Sequence, residues 1–239
     1  MDGTLTRANT FLAYLKFVLA RRKRRILRCA RLPLLVAQYR CGLRSRDRLK
    51  EDLLRAVLGA CSSAEIADLT GAFVACYGFG LLKPAALAAL GRHRSLGDRL
   101  VIASASLDIY TIALAESWGV PEVVSTRTEW RSGKLTGRLA GPNLRGEAKL
   151  AAVKQILSGV TGERPEIFAY SDDHSDLPLL RFADHGFAVD PTRKLKACAK
   201  LNRLQILDWN SAVEGRLSGG CGETSSDGDR QAPALPTAI

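Results

Sequence analysis

Arg99-Leu100-Val101-Ile102-Ala103, followed at once by Ser104, is an apolar run too short for a helix and suited to a buried parallel strand. Downstream of it the pattern repeats. Leu107 to Trp118 has helical periodicity, and a second apolar run lies around Val123 and Val124. Trp130 to Gly141 reads as a hairpin with Ser132-Gly133 at its turn. Glu147 to Leu157 is helical again, Glu166 to Tyr170 forms another buried strand, and Gly186 to Val189 one more. Strand and helix alternate, which predicts an α/β fold with a Rossmann-like, doubly wound parallel sheet covered on both faces.

Upstream of Gly97 the texture is different. Met1 to Thr6 is turn-like, with Gly3 at its centre and no strand before it. From about Asn9 to Leu96 helical periodicity dominates. Asn9 or Thr10 caps a first helix carrying Leu12, Leu15, Val18 and Leu19, and further helices are expected over 47–58, 63–77 and 84–93. The expected organisation is a core of residues 1–8 and 97–217, interrupted by a helical cap at 9–96, with a disordered tail at 218–239 rich in Gly, Ser, Asp and Pro.

The chain of 239 residues carries a net charge of +11, which favours an anionic partner or substrate. Its six cysteines form no CxxC pair and no zinc-ligand spacing. No secretory signal precedes the first motif and no apolar run is long enough to span a bilayer, so a cytoplasmic protein is expected. Arg21 to Lys50 holds a dozen basic residues against one acid, Asp47, and encloses the apolar island Leu32 to Val36. Basic side chains beside apolar ones suit peripheral contact between residues 21–36 and an anionic membrane. No aromatic residues are interleaved among the arginines from Arg21 to Arg31, which argues against nucleic acid.

Four islands stand at the carboxyl ends of the expected strands or just behind them: Asp2-Gly3-Thr4-Leu5-Thr6, Ser104, Lys149, and the acidic group Asp172, Asp173 and Asp176. Acids from two strand ends suit a hard cation such as Mg²⁺. A serine hydroxyl, an ammonium and free backbone N–H groups suit a phosphoryl group. Singly each has a plainer explanation, and Asp173 in particular suits a helix cap.

In this order the islands resemble the haloacid dehalogenase superfamily, closest to the subclass with phosphoserine phosphatase. That family opens with Asp-x-Asp-Gly-Thr-Leu-Thr, of which Asp2 to Thr6 matches everything from the second aspartate onward. Ser104 matches its strand-end serine, Gly146-Glu147-Ala148-Lys149 its Gly-x-x-Lys, and Ser171-Asp172-Asp173-His174-Ser175-Asp176 its acidic motif. The resemblance implies a Mg²⁺-dependent phosphomonoester hydrolase working through an aspartyl phosphate. It assigns Asp2 as general acid and base with its carbonyl on the metal, Ser104 and Lys149 as phosphate-binding, and Asp172 and Asp176 as metal-binding, directly or through water.

The pattern's first aspartate, the nucleophile, falls one position ahead of Met1, and the first core strand is missing with it. An internal methionine taken as the start accounts for this break; the alternative is a non-catalytic, phosphate-binding pseudo-phosphatase. The substrate is expected to be a phosphorylated small molecule or a lipid head group, the latter implying a lipid-phosphate phosphatase such as phosphatidylglycerophosphatase.

Overall fold

The computed structural model describes residues 1–211; the expected tail at 218–239 and Cys221 lie outside the described residues. Five α-helices come first: α1 (Thr10–Arg21), α2 (Leu32–Arg40), α3 (Arg46–Leu58), α4 (Ser63–Tyr77) and α5 (Pro84–Ser95). Then follow β1 (Val101–Leu107), α6 (Asp108–Ser117), β2 (Glu122–Thr126), the hairpin β3 (Thr128–Arg131) and β4 (Lys134–Leu139), and α7 (Glu147–Leu157). Last among the described residues come β5 (Phe168–Ser171), α8 (Leu177–Phe182), β6 (His185–Val189), α9 (Arg193–Ala199) and β7 (Gln205–Leu207). The α/β architecture read from the alternation after Gly97 is present, with parallel pairing of β1 with β2, β5 with β6, and β6 with β7.

Local chemistry sets the helix starts. The Asn9 side chain accepts from Leu12 N at 2.9 Å and begins α1. Ser62 and Glu65 form a reciprocal capping box on α4. The apolar island Leu32 to Val36 is a helix, α2, whose Pro33 sits in the first turn, where a missing N–H costs nothing.

One continuous apolar cluster joins the first helices to the sheet domain. Tyr14 of α1, Phe73 of α4 and Tyr110 of α6 are all fully or almost fully buried, with Tyr14 centred 5.2 Å from Phe73 and 4.9 Å from Tyr110. The hairpin packs on α3, where a side chain at Gly137 would meet the Arg55 backbone at 2.6 Å. α5 adds Leu90 to that apolar cluster and places buried Ala86 in a second one with Phe187, Val189 and Trp209.

The parallel strands form two separate sheets. Among the described strands, β1 is bonded to β2 alone and β5 to β6 alone. Between the facing edges of β1 and β5 lies a cavity of about 260 Å³, lined by Val101, Ile102 and Ala103 on one side and Phe168, Ala169 and Tyr170 on the other. Met1 and Leu5 reach into the same cavity.

Candidate active site

The opening turn is folded around an acid from the far side of the chain. Leu5 N and Thr6 N both donate to the carbonyl of Met1, at 2.8 and 3.1 Å. Gly3 adopts φ +76°, and a Cβ there would stand 2.2 Å from Asp172 Oδ2, so this position admits only glycine. Next to it Thr4 Oγ1 donates to Asp172 Oδ1 at 2.8 Å. Thr192 N donates to the Asp172 carbonyl at 2.8 Å, fixing the backbone from the other side.

Asp2 is held by both oxygens. Oδ1 accepts from Thr10 N at 2.9 Å, at the amino end of α1, and Oδ2 accepts from Ser106 Oγ at 2.7 Å. A helix amino terminus favours a carboxylate there, so α1 positions this residue by dipole and hydrogen bond together. Ser104, expected at a strand end, lies within β1, which continues through an irregularity in register to Leu107. Its buried hydroxyl accepts from Ser106 N at 3.0 Å and faces the same cavity as Asp2.

Lys149, in the first turn of α7, is buried and donates to Asp176 Oδ2 at 2.6 Å. Ser171 Oγ donates to the same oxygen at 2.7 Å. Asp173 does serve as a cap, accepting from Ser175 N at 2.9 Å, and Arg145 Nη2 also reaches it at 2.8 Å.

Asp2, Ser104, Lys149, Asp172 and Asp176 thus line one cavity of about 560 Å³, together with Met1, Lys50 and Arg46. Burial raises the Asp172 carboxyl above its ordinary range and lowers the Met1 amino group below its own. Lys149, Asp2, Asp172 and Asp176 all act electrostatically on that amino nitrogen, and Met1 lines the same cavity as they do.

Asp172 presents a desolvated carboxylate facing the cavity, the donor type a hard cation takes. Among the described residues no group of three or more His, Cys, Asp and Glu side chains is assembled to hold a metal ion. Asp176 is turned to Lys149 and Ser171. One cavity-facing carboxylate is compatible with Mg²⁺, which keeps several waters and needs only one or two carboxylates.

Several residues here carried no sequence signal. Ser106 pins Asp2. Lys83, only 2 % exposed, donates to the Gly3 carbonyl and, at 2.6 Å, to Asp190 Oδ2, tying the opening turn to the end of β6. Lys50 reaches down from α3 to donate to Ala105 O at 2.7 Å and Asn143 Oδ1 at 2.6 Å. Burial lowers its ammonium to about 8. A lysine at a helix start and a serine two places past another look like surface and cap residues until the chain is folded.

The family model described as haloacid dehalogenase-like hydrolase matches residues 1–181. The protein named CicA from Caulobacter vibrioides is 30% identical over 188 residues, covering 77% of this chain and 80% of its own. A histidinol-phosphatase from Neisseria meningitidis serogroup C is 28% identical over 160 residues, 64% of this chain and 71% of its own. A crystal structure from Bordetella pertussis Tohama I, of a protein with unknown function, superposes with TM-score 0.74 at 27% identity, covering 87% of this chain and 96% of that one. The fold is shared, at 16% identity and TM-score 0.58, with a substrate-bound phosphoserine phosphatase covering 91% of this chain and 93% of its own.

Proposed function

This chain belongs to the haloacid dehalogenase-like hydrolase family; from that premise we propose a Mg²⁺-dependent phosphomonoesterase of the phosphoserine phosphatase-like kind, acting through an aspartyl phosphate, a reading supported by the histidinol-phosphatase relative and the shared fold. The nucleophilic carboxylate belongs one position ahead of Met1. The observation that supports this is the placing of Met1 itself, which lines the same cavity as Asp2, Ser104, Lys149, Asp172 and Asp176. A residue joined there adjoins the same cavity.

In this reading Ser104 and Lys149 hold the phosphoryl oxygens and offset their charge. Asp172 holds the cation, with Asp176 in support, and the cation supplies charge neutralisation at the phosphoryl group. The nucleophile's oxygen bonds to phosphorus as the ester P–O bond breaks, and Asp2 gives its proton to the leaving oxygen. Asp2 then takes a proton from water as that water attacks phosphorus, releasing phosphate and restoring the carboxylate. The insertion at 9–96 acts as the cap that excludes bulk water.

The test is a chain with Asp joined ahead of Met1, assayed on p-nitrophenyl phosphate with Mg²⁺ and with chelator. Metal-dependent turnover and a hydroxylamine-sensitive acyl phosphate are expected. Absence of both, in a folded protein, would sink the reading.

A second reading concerns where the enzyme works. The 3₁₀ segment Lys23–Cys29 and α2 bury no residue, leaving Ile26, Leu27 and Leu34 at 53, 83 and 62 % exposure among Lys23, Arg24, Arg28 and Arg31. Such a surface suits the anionic inner face of a membrane and a lipid-phosphate substrate. No helix among the described residues is long and apolar enough to cross a membrane. Sedimentation with phosphatidylglycerol vesicles tests this reading; no binding at low salt would remove it.

A further inference from the structure

The charges around the 560 Å³ cavity are divided by wall. Its carboxylates, Asp2, Asp172, Asp173 and Asp176, all stand on the sheet side, and each is already hydrogen-bonded within the protein. The residues of α3 that line the cavity are Arg46, Leu49, Lys50 and Leu53, two cations and two leucines. The acids of the same helix are turned away. Asp47 accepts from Asn143 Nδ2 at 2.7 Å and Glu51 from Leu139 N at 2.9 Å, and neither lines the cavity.

The α3 cations have capacity left. Lys50 uses two of its three ammonium protons, on Ala105 O and Asn143 Oδ1. Arg46 makes no hydrogen bond or ion pair among the described residues, yet lies close enough to the site to act electrostatically on Asp173. A guanidinium with all its donors unspent on the wall of a cavity larger than a phosphate group is matched by a second anion. An ammonium on the substrate would find only cations and leucines on this face of α3, and a desolvated like-charge contact is costly.

We propose that the substrate's leaving group carries a second anionic group and no ammonium, the anion meeting Arg46 while a neutral or apolar stem lies against Leu49 and Leu53. This rests on the phosphatase reading of the site and narrows it. The second anion is a carboxylate or phosphate of a soluble metabolite, or the phosphodiester of a lipid head group.

Binding to the chain as it stands, measured by titration calorimetry with Mg²⁺, separates these statements without needing turnover. 3-Phosphoglycerate and O-phosphoethanolamine share the phosphate and differ in the charge at the other end. The first is expected to bind about tenfold more tightly, the scale of one charge-assisted hydrogen bond. Arg46→Glu, at an exposed position in the first turn of α3, should abolish or invert that ratio. A wild-type ratio near one, or one that Arg46→Glu leaves unmoved, overturns the proposal. Failure to bind either ester or inorganic phosphate overturns the phosphate-site reading itself. Phosphatidylcholine vesicles carrying phosphatidylinositol 4-phosphate form the lipid arm. Tighter binding there than of the soluble ester assigns the second anion to a head group, and the reverse assigns it to a metabolite.

Discussion

Two cavities meet at Met1. The one over Asp172 is lined by four carboxylates and five cationic side chains, several of which retain unused donors. The other, between β1 and β5, is mostly aliphatic and aromatic, and its polar groups are spent on one another: His93 bridges Asp98 at 2.7 Å and the Tyr170 hydroxyl at 2.9 Å. Its unspent hydrogen-bonding groups belong instead to the facing strand edges, since β1 and β5 each pair on one side only. The difference teaches what each space suits. Spare side-chain donors suit a charged ligand that comes and goes, whereas apolar walls between bare strand edges suit an extended piece of polypeptide.

The sharpest way to break the comparison is to occupy both spaces at once. A β-branched segment ending in Asp, joined ahead of Met1, should raise turnover of p-nitrophenyl phosphate by at least ~10⁴-fold, the order lost when a nucleophile is removed. With Asn in place of that Asp, the gain in thermal stability should remain and turnover should not. If the Asn version melts no higher than the parent, the dry cavity is not a seat for a strand.

In the extended chain, Asp2→Asn keeps the shape and the bond from Thr10 N, with its amide donating to Ser106 Oγ where the carboxylate accepted, but it cannot cycle a proton. A loss of roughly 10²–10⁴-fold in kcat is expected, with a smaller effect on KM. Equal losses for good and poor leaving groups would argue against a role as acid. Gly3→Ala joins steric and conformational strain, with its Cβ 2.2 Å from Asp172 Oδ2. It should cost about 1–3 kcal/mol in urea unfolding and weaken Mg²⁺ binding.

Lys50 gives a pH signature on the wet side. Burial lowers it from 10.5 to about 8, so between those values the unfolded chain binds more protons than the folded one. Stability should therefore gain a rising component from about pH 8 to 10.5, and Lys50→Met should remove that component. Identical pH profiles would show that the ammonium is not buried in solution. The smallest effect is expected on the dry side, where Val153→Leu on α7 adds one methylene toward the cavity and should raise Tm by a degree or two, about 0.5 kcal/mol.

What could be read in the sequence follows the range of the interactions involved. Strands and helices after Gly97 declare themselves by local periodicity, and Asp2, Ser104, Lys149 and Asp172 by their order along the chain. Two local signals needed the fold to interpret: Pro33 opens α2 where only an apolar island was read, and Ser104 lies inside β1 instead of ending it. The remainder was invisible because its partners are remote. Lys83 and Asp190 are 107 residues apart, and Lys50 and Asn143 are 93 apart, so neither lysine differs from a surface residue until the topology joins them. Ser106 was hidden differently, since in Ala103-Ser104-Ala105-Ser106 either hydroxyl fits the same reading.

The bond from Thr10 N to Asp2 couples two things usually treated apart. α1 opens the proposed cap, and its amino end clasps the carboxylate to which the proposed mechanism gives the proton transfers. Any tilt of that helix wide enough to admit a bulky substrate would stretch this 2.9 Å bond and let the carboxylate swing away from the leaving oxygen. With the roles proposed above, gate and trigger would form an interlock: while the door stood open the acid would be misaligned, and only its closing would arm the site.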